Sequence, residues 1–270
     1  MTSNIDLIAL DLDGTLLAPD ESISDRNRQA IRQALAAGIR VVLVTGRGVD
    51  TPIRVSKELG LNLPVICCHG ALTKDFGANR TLEHVPVPLQ YAVPMIELAE
   101  AQDLSIAVYV EEAFYRITGS HIFMQDMRGP GWHEVPSIRE MLTEAPTFIR
   151  FLGAESVKRM QEEFGDLPLS FRHETWGDLV ECAVLNRDAS KKNALARLCA
   201  DFQVHSDRVL AIGDSRNDIP MLRWAKIGVA MGNALPEVRQ AVRYVTSTND
   251  DDGVAHAIER FVLPPAKKSA

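Results

Sequence analysis

The segment IDLIALDLDGTLL at residues 5–17 limits this chain more than any other stretch. Its short apolar run reads as a strand buried on both faces, and it runs directly into Asp11 and Asp13, one residue apart. Crowding two carboxylates at the end of a buried strand is costly unless a cation or a proton resolves the conflict. The fold must therefore bring a compensating charge to this point. Residues 24–37 continue as a helix, with Ser24 as N-cap, Ile31, Ala34 and Leu35 on one face and Gly38 at its end. Residues 39–45 form a second buried strand. A strand, a helix and a strand within about 40 residues make a βαβ unit, so the two strands should be parallel and adjacent.

A helix near 50–59 and a strand at PVICCHGA follow, then a hairpin turning at Gly77-Ala78-Asn79. The middle of the chain changes style. A helix at 88–103, strands near 105–110, 113–117, 147–152, 168–175 and 178–185, a loop at Gly129-Pro130-Gly131 and a helix near 155–164 read as an α+β layer. From Lys191 the alternation of helix and buried strand resumes. The expected architecture is an α/β, doubly wound, Rossmann-like parallel sheet made of residues 1–83 and 187–270, with an α+β domain inserted at 84–186.

Composition narrows the function classes. A chain of 270 residues with 46 % apolar content can build its core without disulfides. The four cysteines, Cys67, Cys68, Cys182 and Cys199, form no C-x-x-C pair, which argues for buried thiols in a reducing compartment and against structural zinc. A formal net charge of −7 makes nucleic acid an unfavourable primary partner. No apolar run approaches the roughly 20 residues that span a bilayer, and the first residues lack the features of a signal peptide. The expectation is a cytoplasmic protein with no membrane partner; the sequence leaves its oligomeric state open.

Open α/β sheets bind ligands beyond the carboxyl ends of their strands. Four chemically loaded spots fall there: Asp11-Leu12-Asp13-Gly14-Thr15, Thr45-Gly46-Arg47, Lys191, and Gly213-Asp214-Ser215-Arg216-Asn217-Asp218. Two like charges 4 Å apart repel by about 4 kcal/mol at an effective dielectric of 20. A hard cation such as Mg²⁺ relieves such repulsion and accepts phosphate oxygens as well. Carboxylates, a lysine and a hydroxyl donor at strand ends thus form a receptor for a phosphoryl group.

These motifs, in this order, resemble the haloacid dehalogenase-like hydrolases, and most of all their Cof-type branch with the larger α/β cap called subclass IIB. The resemblance extends through GVAMGNALPEVRQAV and DDDGVAHAI near the C-terminus. It implies a phosphatase that hydrolyses small phosphomonoesters, sugar phosphates first, through an aspartyl-phosphate. Asp11 is then the nucleophile and Asp13 the acid and base, its pKa raised by its neighbours. Mg²⁺ would be held by the side chains of Asp11 and Asp214 and the carbonyl of Asp13. Thr45, Lys191, Asn217 and the backbone at Leu12 and Gly46 would hold phosphoryl oxygens, with Asp218 orienting Lys191 or a metal-bound water. The insert would act as a cap that sets specificity, and Arg47, His69, Arg150 and Arg172 are candidate substrate contacts.

The chain departs from that branch at His69-Gly70-Ala71, where Asn-Gly-Ala is usual. Imidazole there either packs as a neutral ring or donates a hydrogen bond close to phosphate. Gly46-x-Gly48 is not a dinucleotide fingerprint, since Thr51 occupies the third glycine position, and no P-loop is present. His121, His133 and His173 lack metal-ligand spacing. Two alternatives share these residues. One is phosphoryl transfer to a sugar hydroxyl; the other is a non-enzymatic module that is phosphorylated on aspartate.

Overall fold

A computed structural model describes residues 5–110, 112–117, 131–176 and 178–263. The expected loop residues Gly129 and Pro130, and His121, lie outside them. The chain starts with β1 (Leu7–Leu10), α1 (Asp25–Ala36), β2 (Arg40–Leu43), α2 (Asp50–Leu59) and the strands β3 (Val65–Cys67), β4 (Leu72–Asp75) and β5 (Arg80–His84). Next come α3 (Leu89–Ala101), β6 (Ile106–Val110), β7 (Ala113–Ile117), β8 (Trp132–Val135), α4 (Ile138–Met141), β9 (Phe148–Leu152), α5 (Ala154–Phe164), β10 (Leu169–Trp176) and β11 (Leu179–Asn186). The last third holds α6 (Lys191–Asp201), β12 (Val209–Gly213), α7 (Ile219–Trp224), β13 (Ile227–Ala230), α8 (Pro236–Gln240), β14 (Tyr244–Val245) and α9 (Gly253–Phe261).

Two compact units result. One comprises residues up to Arg47, Thr51–Glu83 and the chain from Ser190; the other comprises Gly48–Asp50 and His84–Ala189. The first unit contains a five-stranded sheet in the order β14-β13-β12-β1-β2. Its neighbours pair in parallel, with Leu10 beside both Leu43 and Ile212. Chain order runs outward from β1 to β2 on one side, and from β12 through β13 to β14 on the other. The reversal between β1 and β12 is the topological switch point, where such sheets open a crevice at their carboxyl ends. Leu7, Ile8, Ala9 and Leu10 are wholly buried, as a strand covered on both faces requires.

Local capping sets the helices of this unit. The Ser24 side chain accepts from Asn27 N at the start of α1, and Ser190 accepts from Asn193 N at the start of α6. Asn27 is buried and turns its Oδ1 toward α9, where it accepts from Ala255 N at 2.8 Å.

The second unit is built on a six-stranded sheet in the order β10-β11-β9-β6-β7-β8, antiparallel except between β7 and β8. Val108, Ile149, Phe151 and Val184 face the helices, packing with Ile96 of α3, Ile138 of α4 and Met160 of α5. The register places Arg172, Ala183, Arg150, Ala107, Arg116 and Glu134 in one row across the sheet. β8 and α4 are absent from the sequence expectations. β8 has only four residues and joins through a parallel pairing with β7, and α4 is a single turn capped by Ser137.

Replacing Asn27 with leucine should cost about 1–3 kcal/mol, because it strips the acceptor from a buried amide of α9. Chemical denaturation measures this.

Candidate active site

The strand that raises the electrostatic problem ends at Leu10, and the chain then turns sharply. The amides of Thr15, Leu16 and Leu17 all donate to the Leu12 carbonyl at 2.9–3.2 Å. Gly14 sits at φ +68°, and a Cβ there would lie 2.4 Å from Asp214 Oδ2. Glycine is required on both counts. The turn separates the two aspartates: Asp11 is buried at 3 % exposure, while the Asp13 side chain is 42 % exposed.

Asp11 meets a compensating charge. Lys191 opens α6, and its side chain is buried with Nζ 2.6 Å from Asp11 Oδ1 and 2.7 Å from Asp218 Oδ1. Burial alone would lower the lysine pKa, but the charges of Asp11 and Asp218 outweigh it and hold the ammonium above its ordinary value. Asp218 is well supplied with donors: its Oδ2 accepts from the amides of Asp214 and Ser215 and lies within reach of the Ser215 hydroxyl, at 3.0–3.1 Å. Asp214 completes the group from the end of β12, its Oδ1 accepting from the Thr15 hydroxyl at 2.9 Å.

Asp11, Asp214 and Asp218 offer ligand atoms that all lie within 4.8 Å of one another. Three carboxylates then face one ammonium, and the imbalance appears in their proton affinities. Burial, followed by the charge of Asp218, raises Asp11 well above the usual carboxylate range. The same two causes, in the same order, push Asp214 up to about 6. Asp218 already accepts from a lysine and two backbone amides, so Asp11 and Asp214 have the most capacity left for a cation. An all-oxygen donor set of surplus negative charge fits a hard divalent ion such as Mg²⁺.

The remaining core candidates gather at the same end of the sheet. Thr45 follows β2; its amide donates to Ile66 O, and its hydroxyl accepts from Arg47 N at 3.1 Å. Asn217 places its Oδ1 2.8 Å from the Ser215 hydroxyl and its Nδ2 3.2 Å from His69 Nδ1. His69 is buried, and its amide donates to Thr45 O at 3.0 Å. Its ring lies so close to Gly46 that a Cβ on residue 46 would come 2.4 Å from Cε1.

Arg47 does not reach toward the carboxylate cluster. It grips Asp13 with a fork, Nε to Oδ2 at 2.9 Å and Nη2 to Oδ1 at 2.6 Å, and also pairs with Glu21. The partner of Asp13 is thus a cation, where the sequence led us to expect crowding by other carboxylates. Arg150 and Arg172 belong to the second unit. Arg150 pairs with Glu181 at 2.9 Å and lies over the rings of Phe114 and Phe148, and Arg172 donates to the carbonyl of Ala189 at 3.4 Å. Sequence reasoning missed Thr15 and Ser215 as supporting residues. The Ser215-x-x-Asp218 spacing is the signal for the second, since it forms a capping box.

The family model of the haloacid dehalogenase-like hydrolases matches residues 8–258. The chain belongs to that family. The hydrolase is 30 % identical to the pyridoxal phosphate phosphatase YbhA of Escherichia coli, over 97 % of this chain and 100 % of that protein. It is 32 % identical to the 5-amino-6-(5-phospho-D-ribitylamino)uracil phosphatase YcsE of Bacillus subtilis, over 96 % and 97 %. The crystal structure of a haloacid dehalogenase-like hydrolase from Bacteroides thetaiotaomicron superposes with a TM-score of 0.84 at 27 % identity, covering 95 % of this chain and 99 % of that one. Such relatives make the hydrolase a phosphatase, an enzyme that cleaves phosphoric monoesters. No helix among the described residues is long and apolar enough to cross a membrane.

The raised carboxylates fix the sign of a pH effect. A folded-state pKa above the unfolded one means that the folded protein holds its proton more tightly. For Asp214 the cost is absent below the ordinary value of 3.8 and complete above about pH 6. A divalent ion relieves that cost only where the carboxylates have shed their protons. Added Mg²⁺ should therefore raise the melting temperature of chelator-treated protein more at pH 7.5 than at pH 5. Thermal scans with EDTA or with Mg²⁺ at the two pH values check this, and equal increments would contradict it.

Proposed function

We propose that this hydrolase is a Mg²⁺-dependent phosphatase of small phosphomonoesters that works through an aspartyl-phosphate on Asp11. The observation that supports it most is the convergence of Asp11, Asp214, Asp218 and Lys191 at the switch point, with more negative than positive charge. A phosphoryl group and a cation together complete such a site.

In the proposed reaction, the Asp11 carboxylate attacks phosphorus in line, and the bond to the ester oxygen breaks as the new bond forms. Asp13 gives its proton to the departing oxygen. It then takes a proton from the water that attacks the phosphoenzyme, releasing orthophosphate and regenerating Asp11. Half-exposed, Asp13 has room to turn one oxygen toward the leaving group while Arg47 holds the other. Lysine has three N–H donors; Lys191 commits two to Asp11 and Asp218, leaving the third for a phosphoryl oxygen. Thr45, whose oxygen already accepts from Arg47 N, retains its hydroxyl proton for another. Asn217 and the amides of Leu12 and Gly46 complete the cradle. Asp11, Asp214 and the Asp13 carbonyl would hold Mg²⁺, which when bound supplies positive charge against the carboxylates and the phosphoryl oxygens.

We assign substrate selection to the second unit, with Arg150 and Arg172 as its candidate contacts. The substrates named for YbhA and YcsE, together with sugar phosphates, define the first compounds to test: small polar molecules carrying one phosphate ester. Four buried cysteines, none in a disulfide, fit a reducing, cytoplasmic setting.

Orthophosphate release from pyridoxal phosphate, 5-amino-6-(5-phospho-D-ribitylamino)uracil and hexose phosphates, with Mg²⁺ and with EDTA, tests the reading. Turnover of at least one compound is expected with Mg²⁺ alone; activity that EDTA leaves intact overturns the metal dependence. Product analysis separates hydrolysis from transfer to a sugar hydroxyl. Asp11→Asn should lower turnover at least about a thousandfold. Because this substitution removes a buried charge crowded by Asp218, the metal-free variant should melt no earlier than the wild type.

A further inference from the structure

We infer that His69 is a positioning residue for phosphate capture, its Nδ1 fixing which end of the Asn217 carboxamide is presented to the phosphoryl group. The inference rests on the phosphatase reading, in which Asn217 belongs to the cradle.

An asparagine carboxamide has a donor end and an acceptor end that a half-turn interchanges. Presented one way it donates to phosphate oxygens; presented the other way its oxygen repels them. Asn217 therefore needs an orienting partner. Ser215 alone is insufficient, because its single hydroxyl proton has two acceptors in reach, Asn217 Oδ1 at 2.8 Å and Asp218 Oδ2 at 3.0 Å. The carboxylate competes for that proton as the stronger acceptor. The second hold on Asn217 is His69 Nδ1, 3.2 Å from Nδ2. With the amide nitrogen turned to the ring, Nδ1 is the acceptor, and a neutral ring then carries its proton on Nε2. With Nδ2 directed to His69 and Oδ1 to Ser215, the second Nδ2 proton remains for a phosphoryl oxygen.

The imidazole is held as firmly as the amide it orients. His69 lies in a turn of three consecutive left-handed residues, Cys68 at φ +51°, His69 at +56° and Gly70 at +93°. Such a run is costly for residues other than glycine, and its persistence means that surrounding contacts impose it. The contacts are specific. Cys68 N donates to Arg47 O at 2.8 Å and His69 N to Thr45 O at 3.0 Å, which lock the turn against the loop after β2. Gly46 lets the ring approach to a distance that any side chain on residue 46 would block. One histidine thus joins Thr45, Gly46 and Asn217, three members of the proposed cradle drawn from two separate stretches of chain.

The test is a double-mutant cycle with His69→Gly, His69→Asn, Asn217→Ala and the double variant His69→Gly/Asn217→Ala. Glycine removes the ring and keeps the left-handed backbone. Asparagine tolerates that backbone and restores an acceptor. Two measurements are made with Mg²⁺ present: kcat and KM for an ester that the wild type hydrolyses, and the dissociation constant of orthophosphate by calorimetry. His69→Gly should raise KM and the orthophosphate constant about tenfold while kcat changes less than about threefold, the size of one lost orienting hydrogen bond. His69→Asn should stay within about threefold of wild type, and the double variant should be no worse than Asn217→Ala alone. His69→Leu replaces glycine should the glycine variant unfold. Unchanged orthophosphate binding in the loss variant, losses that multiply in the double variant, or an asparagine variant as weak as glycine would each overturn the inference. A wild type that hydrolyses no ester is a distinct result: it refutes the phosphatase reading, whereas the His69 comparison still reads out through orthophosphate binding.

Discussion

One buried ammonium, shared between two carboxylates, organises the catalytic end of the sheet. Lys191 lies within 2.7 Å of both Asp11 and Asp218, and each of the three comes from a different part of the chain. Removing Lys191 would leave two buried carboxylates without their cation, a much larger cost than the net worth of the pairs themselves. The sheet topology is what makes the meeting possible. β1 and β12 are parallel neighbours, so Asp11 and Asp214 leave the sheet side by side, and the first residue of α6 reaches Asp11 and Asp218 there. Gly14 and Gly213 admit the carboxylates of Asp214 and Asp218 to distances no other residue at those positions allows.

Four aspartates of the same intrinsic chemistry are given three kinds of surroundings. Asp218 takes the lysine and two backbone amides and shares the Ser215 hydroxyl proton with Asn217. Asp11 and Asp214 are under-supplied with positive charge, and their proton affinity rises as a result. Asp13 is turned out of the cluster and gripped by Arg47. Environment, not residue type, separates these groups into a structural anchor, a cation-seeking pair and an ion-paired carboxylate.

The parts of this arrangement that are local in sequence are legible there. The strand before Asp11, the βαβ unit, the cap Ser24 and the four motifs are short patterns whose meaning depends on neighbours a few residues away. What the sequence hides is pairing at a distance. Nothing near Arg47 announces that it holds Asp13, 34 residues earlier. The row of Arg172, Arg150 and Arg116 across the second sheet exists only once the register is set, because its members come from three separate strands. β8 escapes notice for the same reason, since four residues become a strand only by lying against β7. At His69 the sequence shows an unusual side chain but not the left-handed turn, which the contacts to Thr45 and Arg47 impose.

The two units also differ in how they settle their charges. In the second, the buried Glu181 is matched to Arg150, and Arg116 to Glu134, so each arginine in these pairs has an acid within bonding reach. In the first, the surface of α1 and α2 is balanced as well, with Arg28 on Glu58 and Arg54 on Glu21. At the switch point three carboxylates, Asp11, Asp214 and Asp218, share one ammonium. A chain selected for stability alone would have replaced one of these buried acids with a neutral residue. That it keeps three, and builds glycine-lined approaches and a shared lysine to hold them, is consistent with a site whose missing positive charge comes from what it binds.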